Sequence, residues 1–426
     1  MDDVLADLEW RGMVHQLTDP ELGARLAAER FVVYHGIDAT ATSLHLGNFI
    51  GVLALRGLQR AGHRPLVVVG GGTTLIGDPS GKDAERPMRS LDDVRANVAA
   101  IRNQLERFLD FGPGESQALL LDNADWLTAM PLTAFLRDVG KHFTVNAMIA
   151  KESVRARLEA REQGISYTEF SYMLLQAYDY LHLFDTQGCR LQIGGSDQWG
   201  NITAGVELVR KARAEAVHGF TWPLLTKADG SKFGKSEAGN VWLDPNLTSP
   251  YELFQFWMRT DDRDVVRFLK LFAGLDREAV ESLAEIHAQR PESRDVHRVL
   301  AHKVTALVHG EDEASAALRA AAALYGGELR ELDEATLRQV FAEAPSVTLP
   351  PSELADGLVL EDLLVRAGAV PSRSAARREL AQGGVYVNNA RETDGQRRIG
   401  QGDLLAGGVV VLRRGKRNYH LVRFGE

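Results

Sequence analysis

The chain has 426 residues, of which 45% are apolar and 25% charged, and this composition is that of a folded globular protein with two to four domains rather than a disordered or collagen-like one. The net charge of −9 argues against non-specific nucleic-acid binding over the whole surface, and the single cysteine, Cys189, excludes an intrachain disulfide and a cysteine-based zinc cluster. Apolar runs such as 66–72 are too short to span a bilayer, and the acidic N-terminus lacks a signal-peptide pattern, so we expect a cytoplasmic protein without membrane segments.

The first elements predict a parallel α/β sheet. Phe31–Tyr34 is a short apolar strand, followed by a polar loop over 36–43 and a helix over Leu46–Ala61. A second apolar strand, Pro65–Val69, ends in three glycines. Continuous apolar strands that alternate with a helix are typical of parallel strands buried on both faces.

The middle of the chain continues this pattern and then becomes helical. Residues 91–187 are predicted to be mainly helical, and the strand Leu191–Ile193 is followed by two glycines and a helix over 200–216. After Pro250 the pattern is helical to about residue 325. We therefore expect a Rossmann-like, doubly wound parallel sheet followed by an α-helical domain.

The C-terminal part differs in both pattern and charge. Residues 327–357 show little periodicity and predict a linker, whereas 358–426 predict a small α+β unit with two helices followed by short strands. Residues 366–426 contain 12 Lys+Arg and 5 Asp+Glu, a net charge of +7, against −16 for the rest of the chain. This contrast favours an anionic partner for the C-terminal unit, although a solvated surface of mixed charge would also produce it.

The glycine-rich turns do not fit the common phosphate-binding motifs. Gly70–Leu75 lacks the last glycine of the dinucleotide fingerprint, and Gly77–Lys82 has three residues between its glycines where a Walker A loop has four. Both turns nevertheless follow the sheet region, and open α/β sheets bind ligands at the carboxyl ends of their strands.

Three further segments carry polar residues suited to nucleotide chemistry. His45 and Asn48 lie on one face of an opening helical turn, where they can contact phosphate or ribose oxygens or simply cap the helix. The lysines of Lys232–Ser236 can hold a phosphate or be solvated. Asp197 and Gln198, after the strand at Leu191–Ile193, can bind a ribose diol or a carbonyl group.

The helix around Tyr167–Leu181 has two distinct faces. Tyr172, Gln176 and Asp179 are spaced at i, i+4 and i+7 and therefore share a face, while apolar residues form a separate stripe. A face with a phenol, an amide and a carboxylate either lines a polar pocket or faces solvent.

The order of these motifs along the chain resembles the class I aminoacyl-tRNA synthetases, and within them the bacterial tyrosyl-tRNA synthetase family. The resemblance rests on the His45–Asn48 and Lys232–Ser236 motifs, together with Tyr34, Asp78, the Tyr172–Asp179 helix and Leu191–Asn201. Residues 358–426 are similar to the S4-type RNA-binding domain of that family. Two positions depart from the familiar pattern: Asn48 replaces a histidine, and His35 stands where cysteine is common.

The resemblance implies an activity and a domain organisation. Tyrosine would be activated by ATP to tyrosyl-adenylate and pyrophosphate and then transferred to the 3′ end of tRNA-Tyr by a homodimeric enzyme. Mg²⁺ would arrive with ATP, with no protein-bound metal site or prosthetic group. The implied domains are a Rossmann-like catalytic domain with a helical insertion over 1–225, the lysine loop and an anticodon-side helical domain over 226–326, the linker 327–357 and the S4-like domain 358–426.

The resemblance also implies roles for individual residues. The catalytic side chains that contact phosphate charge would be Thr40, His45, Lys82, Arg86, Lys232 and Lys235. Tyrosine would be bound by Tyr34, Asp78, Tyr172, Gln176 and Asp179. ATP or the adenylate would be held by Gly36, Asp38, Gly47, Asn48, Asp197, Gln198 and Lys235. RNA would be bound by Arg373, Arg377, Arg378, Arg413, Arg414 and Arg417.

Two other readings of the sequence remain open. One is a tryptophanyl-type synthetase or another adenylyl-transferring enzyme of the same fold, and the other is a non-catalytic RNA-binding protein with an inactive synthetase body. The polar residues Tyr34, Gln176 and Asp179 favour a substrate with a hydroxyl group, and the lysines of the 232–236 loop favour an active enzyme.

Overall fold

The structure, a computed structural model, describes residues 3–78, 91–151, 154–155, 158, 165–236, 239–323, 327–342, 344–355, 357–415 and 418–425. The chain divides into two compact units. The first comprises Met1–Thr248 and Asp261–Glu285, and the second comprises Ser249–Thr260 and Ile286–Glu426.

The secondary structure alternates through the first unit and ends in a strand-rich segment. The strands are β1 (Gln16–Leu17), β2 (Val32–Ile37), β3 (Arg64–Val69), β4 (Leu119–Asp122), β5 (Cys189–Gly195), β6 (His218–Trp222), β7 (Lys235–Ser236), β8 (Gly239–Asn240), β9 (Ser346–Leu349), β10 (Leu358–Val359), β11 (Val385–Val387), β12 (Ala390–Glu392), β13 (Arg398–Ile399), β14 (Val409–Arg414) and β15 (Asn418–Phe424). The helices are α1 (Val4–Arg11), α2 (Leu22–Ala28), α3 (Leu46–Arg60), α4 (Leu91–Leu105), α5 (Ala124–Leu127), α6 (Leu132–Asp138), α7 (Val145–Ile149), α8 (Tyr167–Gln187), α9 (Trp199–Arg213), α10 (Pro250–Met258), α11 (Val265–Phe272), α12 (Arg277–Gln289), α13 (Asp295–His309), α14 (Glu311–Ala323), α15 (Glu334–Val340), α16 (Leu360–Arg366) and α17 (Arg373–Ala381).

The first unit is built on a six-stranded sheet with the order β1-β6-β5-β2-β3-β4. Strands β2 to β6 run parallel, and the short edge strand β1 pairs antiparallel with β6. The strand order reverses between β2 and β5, which opens a crevice at the carboxyl ends of these strands. The predicted Rossmann-like parallel sheet is confirmed, and the crevice is where its ligands are expected.

Two of the parallel strands are absent from the sequence prediction. Every residue of β4 is only half-buried, and β6 mixes histidine, glycine and threonine with aromatic residues. β4 contains a short apolar run, Leu119–Leu121, but it lies within the stretch 91–187 that is predicted to be mainly helical, and β6 has no such run. Both become strands because a neighbouring strand supplies their hydrogen bonds, which local sequence does not reveal.

Helix α8 is the longest helix of the described residues and forms one wall above the sheet. The Ser166 hydroxyl accepts the Glu169 backbone N–H at 3.2 Å to begin it, and Gly188 ends it at a positive φ of 65°. Its apolar side packs with Tyr34 and Leu66 of the sheet in one buried cluster. The polar face of α8 is thereby fixed over the carboxyl half of β2.

Residues 261–285 belong to the first unit because of aromatic packing. Phe268 and Phe272 of α11 lie against Phe233, with ring centroids 4.7 and 5.3 Å apart, and Phe272 also stacks on Phe49 of α3. This packing differs from the domain boundary predicted at residue 225. It also ties the lysine loop, through Phe233, to the sheet-bearing unit.

The second unit contains a helical part and a five-stranded sheet. Helix α10 begins with a capping box between Ser249 and Glu252 and has Pro250 at its first position. It packs against α13 and α14. In the part of the chain that the structure describes, no helix combines the length and the apolar character needed to cross a bilayer.

The stretch 327–357 differs from its predicted role as a linker. It contains α15 and β9, and β9 pairs in parallel with β15 in the sheet ordered β12-β11-β14-β15-β9. Leu337 and Val340 of α15 are buried in one apolar cluster with Leu421 of β15. The sequence obscures this arrangement because the partners of these short apolar segments lie at the other end of the chain.

Candidate active site

The predicted tyrosine-binding residues form one buried polar group at the carboxyl end of β2. Tyr172, Gln176 and Asp179 of α8 are buried although they are polar, and Tyr34 of β2 is buried with them. Tyr34, Asp78 and Asp179 lie close enough to Tyr172 for their charges to raise the pKa of the Tyr172 phenol. The structure therefore brings all five predicted residues into one neighbourhood.

Both oxygens of the Asp179 carboxylate accept hydrogen bonds from the protein. Trp126 Nε1–H donates to Oδ1 at 2.7 Å, and Asn123 Nδ2–H donates to Oδ2 at 2.9 Å. Burial raises the pKa of the Asp179 carboxyl to about 7, and these two hydrogen bonds oppose that rise. The site thus holds a carboxylate that two donors orient, with remaining acceptor capacity.

Asn123 is itself fixed by the loop that follows β3. Its Oδ1 accepts the backbone N–H groups of Gly72 at 2.7 Å and Thr73 at 3.3 Å, and its Nδ2 also donates to Thr73 Oγ1 at 3.0 Å. Sequence analysis missed both Asn123 and Trp126. They follow β4, and the signal that could have found them is a polar and aromatic cluster directly after that unrecognised strand.

The phenols of the site stay protonated. Burial is the largest cause that raises the pKa of Tyr34 and of Tyr172 well above the ordinary value, and the nearby carboxylates of Asp38 and Asp179 act in the same direction. A protonated phenol is both a donor and an acceptor, so each of these side chains can bind a polar substrate group.

Asp38 follows β2 and reaches the same group. Tyr172 Oη–H donates to Asp38 Oδ1 at 3.5 Å, and the backbone N–H of Ala39 donates to Thr74 Oγ1 at 3.2 Å. A Cβ on Gly70 would overlap Thr73 Oγ1 and lie 3.2 Å from Asp38 Oδ1. Glycine at this position therefore lets the loops after β2 and β3 approach each other.

Asp78 and Gln198, predicted for different substrates, are direct neighbours. Gln198 Nε2–H donates to Asp78 Oδ2 at 2.7 Å and to Asp197 Oδ2 at 3.4 Å. Asn201 Nδ2–H donates to Gln198 Oε1 at 3.2 Å and so holds the amide. Tyrosine-binding and nucleotide-binding residues thus meet at the start of α9.

Two buried amides carry oxygens with no hydrogen-bond partner among the described residues. They are Oε1 of Gln176 on α8 and Oε1 of Gln192 on β5. Because a buried unsatisfied acceptor is costly, such atoms indicate a place for a ligand donor. Gln192, whose Cα lies opposite Tyr34 in the parallel register, is absent from the sequence prediction.

His45 and Asn48 form a reciprocal cap at the start of α3. His45 Nδ1 accepts the Asn48 backbone N–H, and Asn48 Oδ1 accepts the His45 backbone N–H, both at 3.3 Å. Helix capping, one of the two possibilities given by the sequence, is observed, and contact with phosphate or ribose oxygens stays a prediction. Gly47 and Asn48 lie in the first turn, where backbone N–H groups favour an anion.

His35, the second departure from the family pattern, is buried beside α3. Its Nδ1–H donates to the Ile193 carbonyl at 3.2 Å, and burial lowers the pKa of the imidazole to about 4, so the ring is neutral. A Cβ on Gly51 would overlap His35 Nε2 and lie 2.9 Å from Trp222. Histidine at this position therefore requires glycine in the facing turn of α3.

The lysine loop, which carries the Lys232–Ser236 motif, and the residues that follow it lie against the start of α3. A Cβ on Gly234 would be 3.4 Å from the Gly47 backbone nitrogen, and Leu46 N–H donates to the Val241 carbonyl at 3.0 Å. Phe233 is buried and anchors the loop, while the side chain of Lys232 is exposed. The structure thus brings two widely separated predicted motifs together.

The remaining predicted residues of this unit are placed as follows. Thr40 N–H donates to the Asp38 carbonyl at 2.9 Å, and Gly36 is exposed above Tyr34. Lys82 and Arg86 lie outside the described residues, and for Lys235 the structure describes the backbone. Among the residues that are described, no group of three or more His, Cys, Asp or Glu is arranged to hold a metal ion.

The arginines predicted to bind RNA differ in their surroundings within the second unit. Arg413 is buried, and its guanidinium lies 3.7 Å from the Tyr386 ring centroid. Its Nε–H donates to Asn389 Oδ1 at 3.1 Å. These contacts give Arg413 a packing role within the protein, which differs from its predicted role in RNA binding. Arg373 and Arg377 are exposed and pair with Asp362 and Glu361.

Arg378 is exposed and Arg414 is half-exposed, and neither has an ion-pair partner among the described residues. Arg417 lies outside those residues. The cationic groups left to meet an anionic partner are therefore fewer than the sequence suggests.

Comparison with known proteins agrees with this geometry. Residues 26–326 match the family model for class I tRNA synthetases (W and Y), and residues 336–422 match that of the tyrosine–tRNA ligase SYY-like C-terminal domain. The chain is 50% identical over 424 residues to the tyrosine–tRNA ligases of Roseiflexus castenholzii and Geobacillus stearothermophilus, a match that covers 99% of this chain and 100% of each relative. It also resembles the solved structure of a C-terminally truncated mitochondrial tyrosyl-tRNA synthetase of Aspergillus nidulans, with a TM-score of 0.67, 31% identity and coverage of 74% of this chain and 92% of that one.

Proposed function

This chain belongs to the tyrosyl-tRNA synthetases of class I, and its activity is the ATP-dependent ligation of tyrosine to tRNA; on that premise we propose how its own residues bind the substrates. The phenol hydroxyl of tyrosine donates to the Asp179 carboxylate and contacts the Tyr34 hydroxyl. The observation that carries this assignment is the buried Asp179 carboxylate, which Trp126 and Asn123 orient beside Tyr34.

The ammonium group of tyrosine is bound by Asp78, Tyr172 and Gln176. An ammonium has three N–H donors, and these residues offer a carboxylate, a phenol oxygen and an amide oxygen. The Gln176 oxygen is buried without a partner among the described residues, which supports this role. The phenol hydroxyl of tyrosine then binds the Asp179 carboxylate, and its ammonium group binds the Asp78 carboxylate.

ATP is held along the edge between β2, α3 and the lysine loop. Asp38, Asn48, Asp197 and Gln198 bind the nucleoside or the adenylate, with Gly36 and Gly47 allowing close approach. The first turn of α3 supplies backbone N–H groups to phosphate. The contact of Gly234 with that turn supports joint action of the lysine loop and α3.

In the first step the tyrosine carboxylate attacks the α-phosphorus in line and pyrophosphate leaves; in the second the 3′-terminal ribose hydroxyl of tRNA attacks the acyl carbon and AMP leaves. No covalent enzyme intermediate is required, so the protein contributes positioning and charge stabilisation. The cationic and polar groups assigned to the phosphates are Thr40, His45, Lys82, Arg86, Lys232 and Lys235. Mg²⁺ accompanies ATP through its phosphate oxygens.

A homodimer is supported by large apolar side chains that the first unit exposes. Leu132 of α6, Val145 of α7 and Tyr167 of α8 are 72%, 59% and 75% exposed. Leu136 and Ile149, one turn further along α6 and α7, are exposed as well. Exposed apolar surface of this kind marks an interaction site. We assign these apolar side chains to contact with a second copy of the chain. The homodimer acts on tRNA-Tyr in the cytoplasm, and the exposed Arg378 and the half-exposed Arg414 contribute to RNA binding.

Tyr34→Phe tests the tyrosine pocket, with Tyr180→Phe as a matched control. Tyr180 is also a buried phenol and packs edge-on against Tyr34, but its hydroxyl is used within the protein, where it donates to the His218 carbonyl at 2.7 Å. In ATP–pyrophosphate exchange, Tyr34→Phe should lower the ratio of kcat/KM for tyrosine over phenylalanine about three- to tenfold, the equivalent of one neutral hydrogen bond. Tyr180→Phe should leave that ratio unchanged.

An unchanged ratio in Tyr34→Phe, or an equal loss in both variants, would remove Tyr34 from the pocket. With tryptophan the same assay should show no exchange, because the 50% identity of the chain to a tyrosine–tRNA ligase over 424 residues speaks against the tryptophanyl-type and non-catalytic alternatives.

A further inference from the structure

The two donors to Asp179 are supported in different ways. Asn123 is fixed by hydrogen bonds to Gly72 and Thr73 as well as to Asp179. Trp126 has one polar group, the indole N–H, and that group is used on Asp179. The orientation of the indole therefore depends on what packs against its ring.

The ring of Trp126 is stacked on His182. The ring centroids are 4.5 Å apart and the planes differ by 17°, which is a parallel stack. Tyr178 also lies near His182, with their ring centroids 6.1 Å apart and their planes tilted by 52°. Phe135 in turn meets Tyr178 edge-on. A chain of aromatic rings thus ends at the indole.

His182 lies three residues after Asp179 on α8, so both side chains are on neighbouring positions of one helix face. The acceptor of the indole N–H and the surface that supports the indole ring are therefore carried by the same rigid element. Burial lowers the pKa of His182, so its ring stacks as a neutral group.

We propose that His182 is a positioning residue for tyrosine recognition: its ring holds the Trp126 indole in the plane that directs Nε1–H to the Asp179 carboxylate. The carboxylate is then fixed as the acceptor for the substrate hydroxyl. This inference rests on the proposed role of Asp179 in binding that hydroxyl. Because the contact acts on a group used equally in the ground and transition states, it should affect KM rather than kcat.

The test compares two substitutions of similar volume, His182→Phe and His182→Leu, since both fill the site and only the first keeps a planar ring. Phe184→Leu, at a partly buried aromatic of the same helix, is the control. In ATP–pyrophosphate exchange, His182→Leu should raise KM for tyrosine about three- to tenfold, as expected for loss of one aromatic pair, with kcat changed less than about twofold. His182→Phe and Phe184→Leu should keep the KM of the unmodified protein.

A second readout follows the indole directly. In ¹⁵N-labelled protein, the Trp126 indole N–H resonance, assigned with Trp126→Phe, should move in His182→Leu and remain in His182→Phe. Asp179→Asn serves as the reference for the pocket itself. If Asp179→Asn alters KM for tyrosine while His182→Leu does not, or if His182→Phe fails to retain KM, the role of His182 is overturned. If Asp179→Asn leaves KM unchanged, the role of Asp179 fails and the inference about His182 fails with it.

Discussion

Replacing Trp126 with phenylalanine should raise the pH midpoint at which kcat/KM for tyrosine increases. Burial raises the pKa of the Asp179 carboxyl to about 7, and the Trp126 N–H is one of the groups that oppose this rise. The ionised carboxylate is the stronger acceptor for a phenol hydroxyl. We therefore expect kcat/KM for tyrosine to rise with pH through a midpoint near the Asp179 pKa of about 7.

The size of the shift follows from the hydrogen bond that is lost. A hydrogen bond to a charged group contributes about 1.5–3 kcal/mol, and one pKa unit corresponds to about 1.4 kcal/mol. Loss of the indole N–H destabilises the ionised carboxylate, so the midpoint should move upward by about one to two pH units. Asp122 also acts to raise this pKa, and the phenols of Tyr34 and Tyr172 stay protonated because burial raises their pKa values.

The assay is kcat/KM for tyrosine in ATP–pyrophosphate exchange across this pH range. Trp10→Phe, which removes an indole from α1, is the matched control and should keep the original midpoint. Asp179→Asn should abolish the titration, because the asparagine amide does not ionise in this range. An unchanged midpoint in Trp126→Phe, or a titration that persists in Asp179→Asn, would refute the reasoning.

Three further predictions concern other parts of the chain. Gly51→Ala should lower the free energy of unfolding in urea by about 1–3 kcal/mol through overpacking against His35 and Trp222, and this loss should be smaller when residue 35 is already alanine; additive losses would contradict the contact with His35. Lys235→Ala should lower kcat of adenylate formation with little change in tyrosine binding by equilibrium dialysis, whereas lost affinity with kcat retained would argue against a transition-state role. The double variant Arg378→Gln with Arg414→Gln should weaken tRNA binding and flatten its dependence on salt while sparing adenylate formation; an unaltered salt slope would assign both arginines to the solvated surface.

For the tyrosine pocket, the spacing of residues in the sequence predicted only some of the features seen in the structure. The spacing of Tyr172, Gln176 and Asp179 predicts a shared helix face, because an α-helix repeats every 3.6 residues whatever surrounds it. The same spacing does not reveal whether that face meets a pocket or solvent. The burial of all three side chains in the structure decided it.

The donors to Asp179 show where local pattern fails. Asn123 and Trp126 lie more than fifty residues before Asp179 in the chain, in a segment that follows the half-buried strand β4. No periodicity links such residues to α8. They meet it only because β4 joins the sheet beside β3 and delivers them to the same edge.

The C-terminal arginines make the same point for charge. Composition showed a net +7 over residues 366–426, but it could not distinguish the buried Arg413, stacked on Tyr386, from the exposed Arg378. Charge counts describe how much cationic surface a chain can offer. Packing and ion pairing determine how much of it faces a partner.

By itself the sequence determined the elements whose signal is contained within a few turns or one strand: the apolar strands β2 and β3, helices α3 and α8, and the motifs that carry the family resemblance. Only the tertiary structure decided that β4, β6 and β9 are strands, that His45 and Asn48 cap a helix, and that Asn123 and Trp126 orient Asp179. The physical reason is that hydrogen-bond partners across a sheet and the burial of a polar group both depend on residues distant in the chain, whereas periodicity reports only on near neighbours.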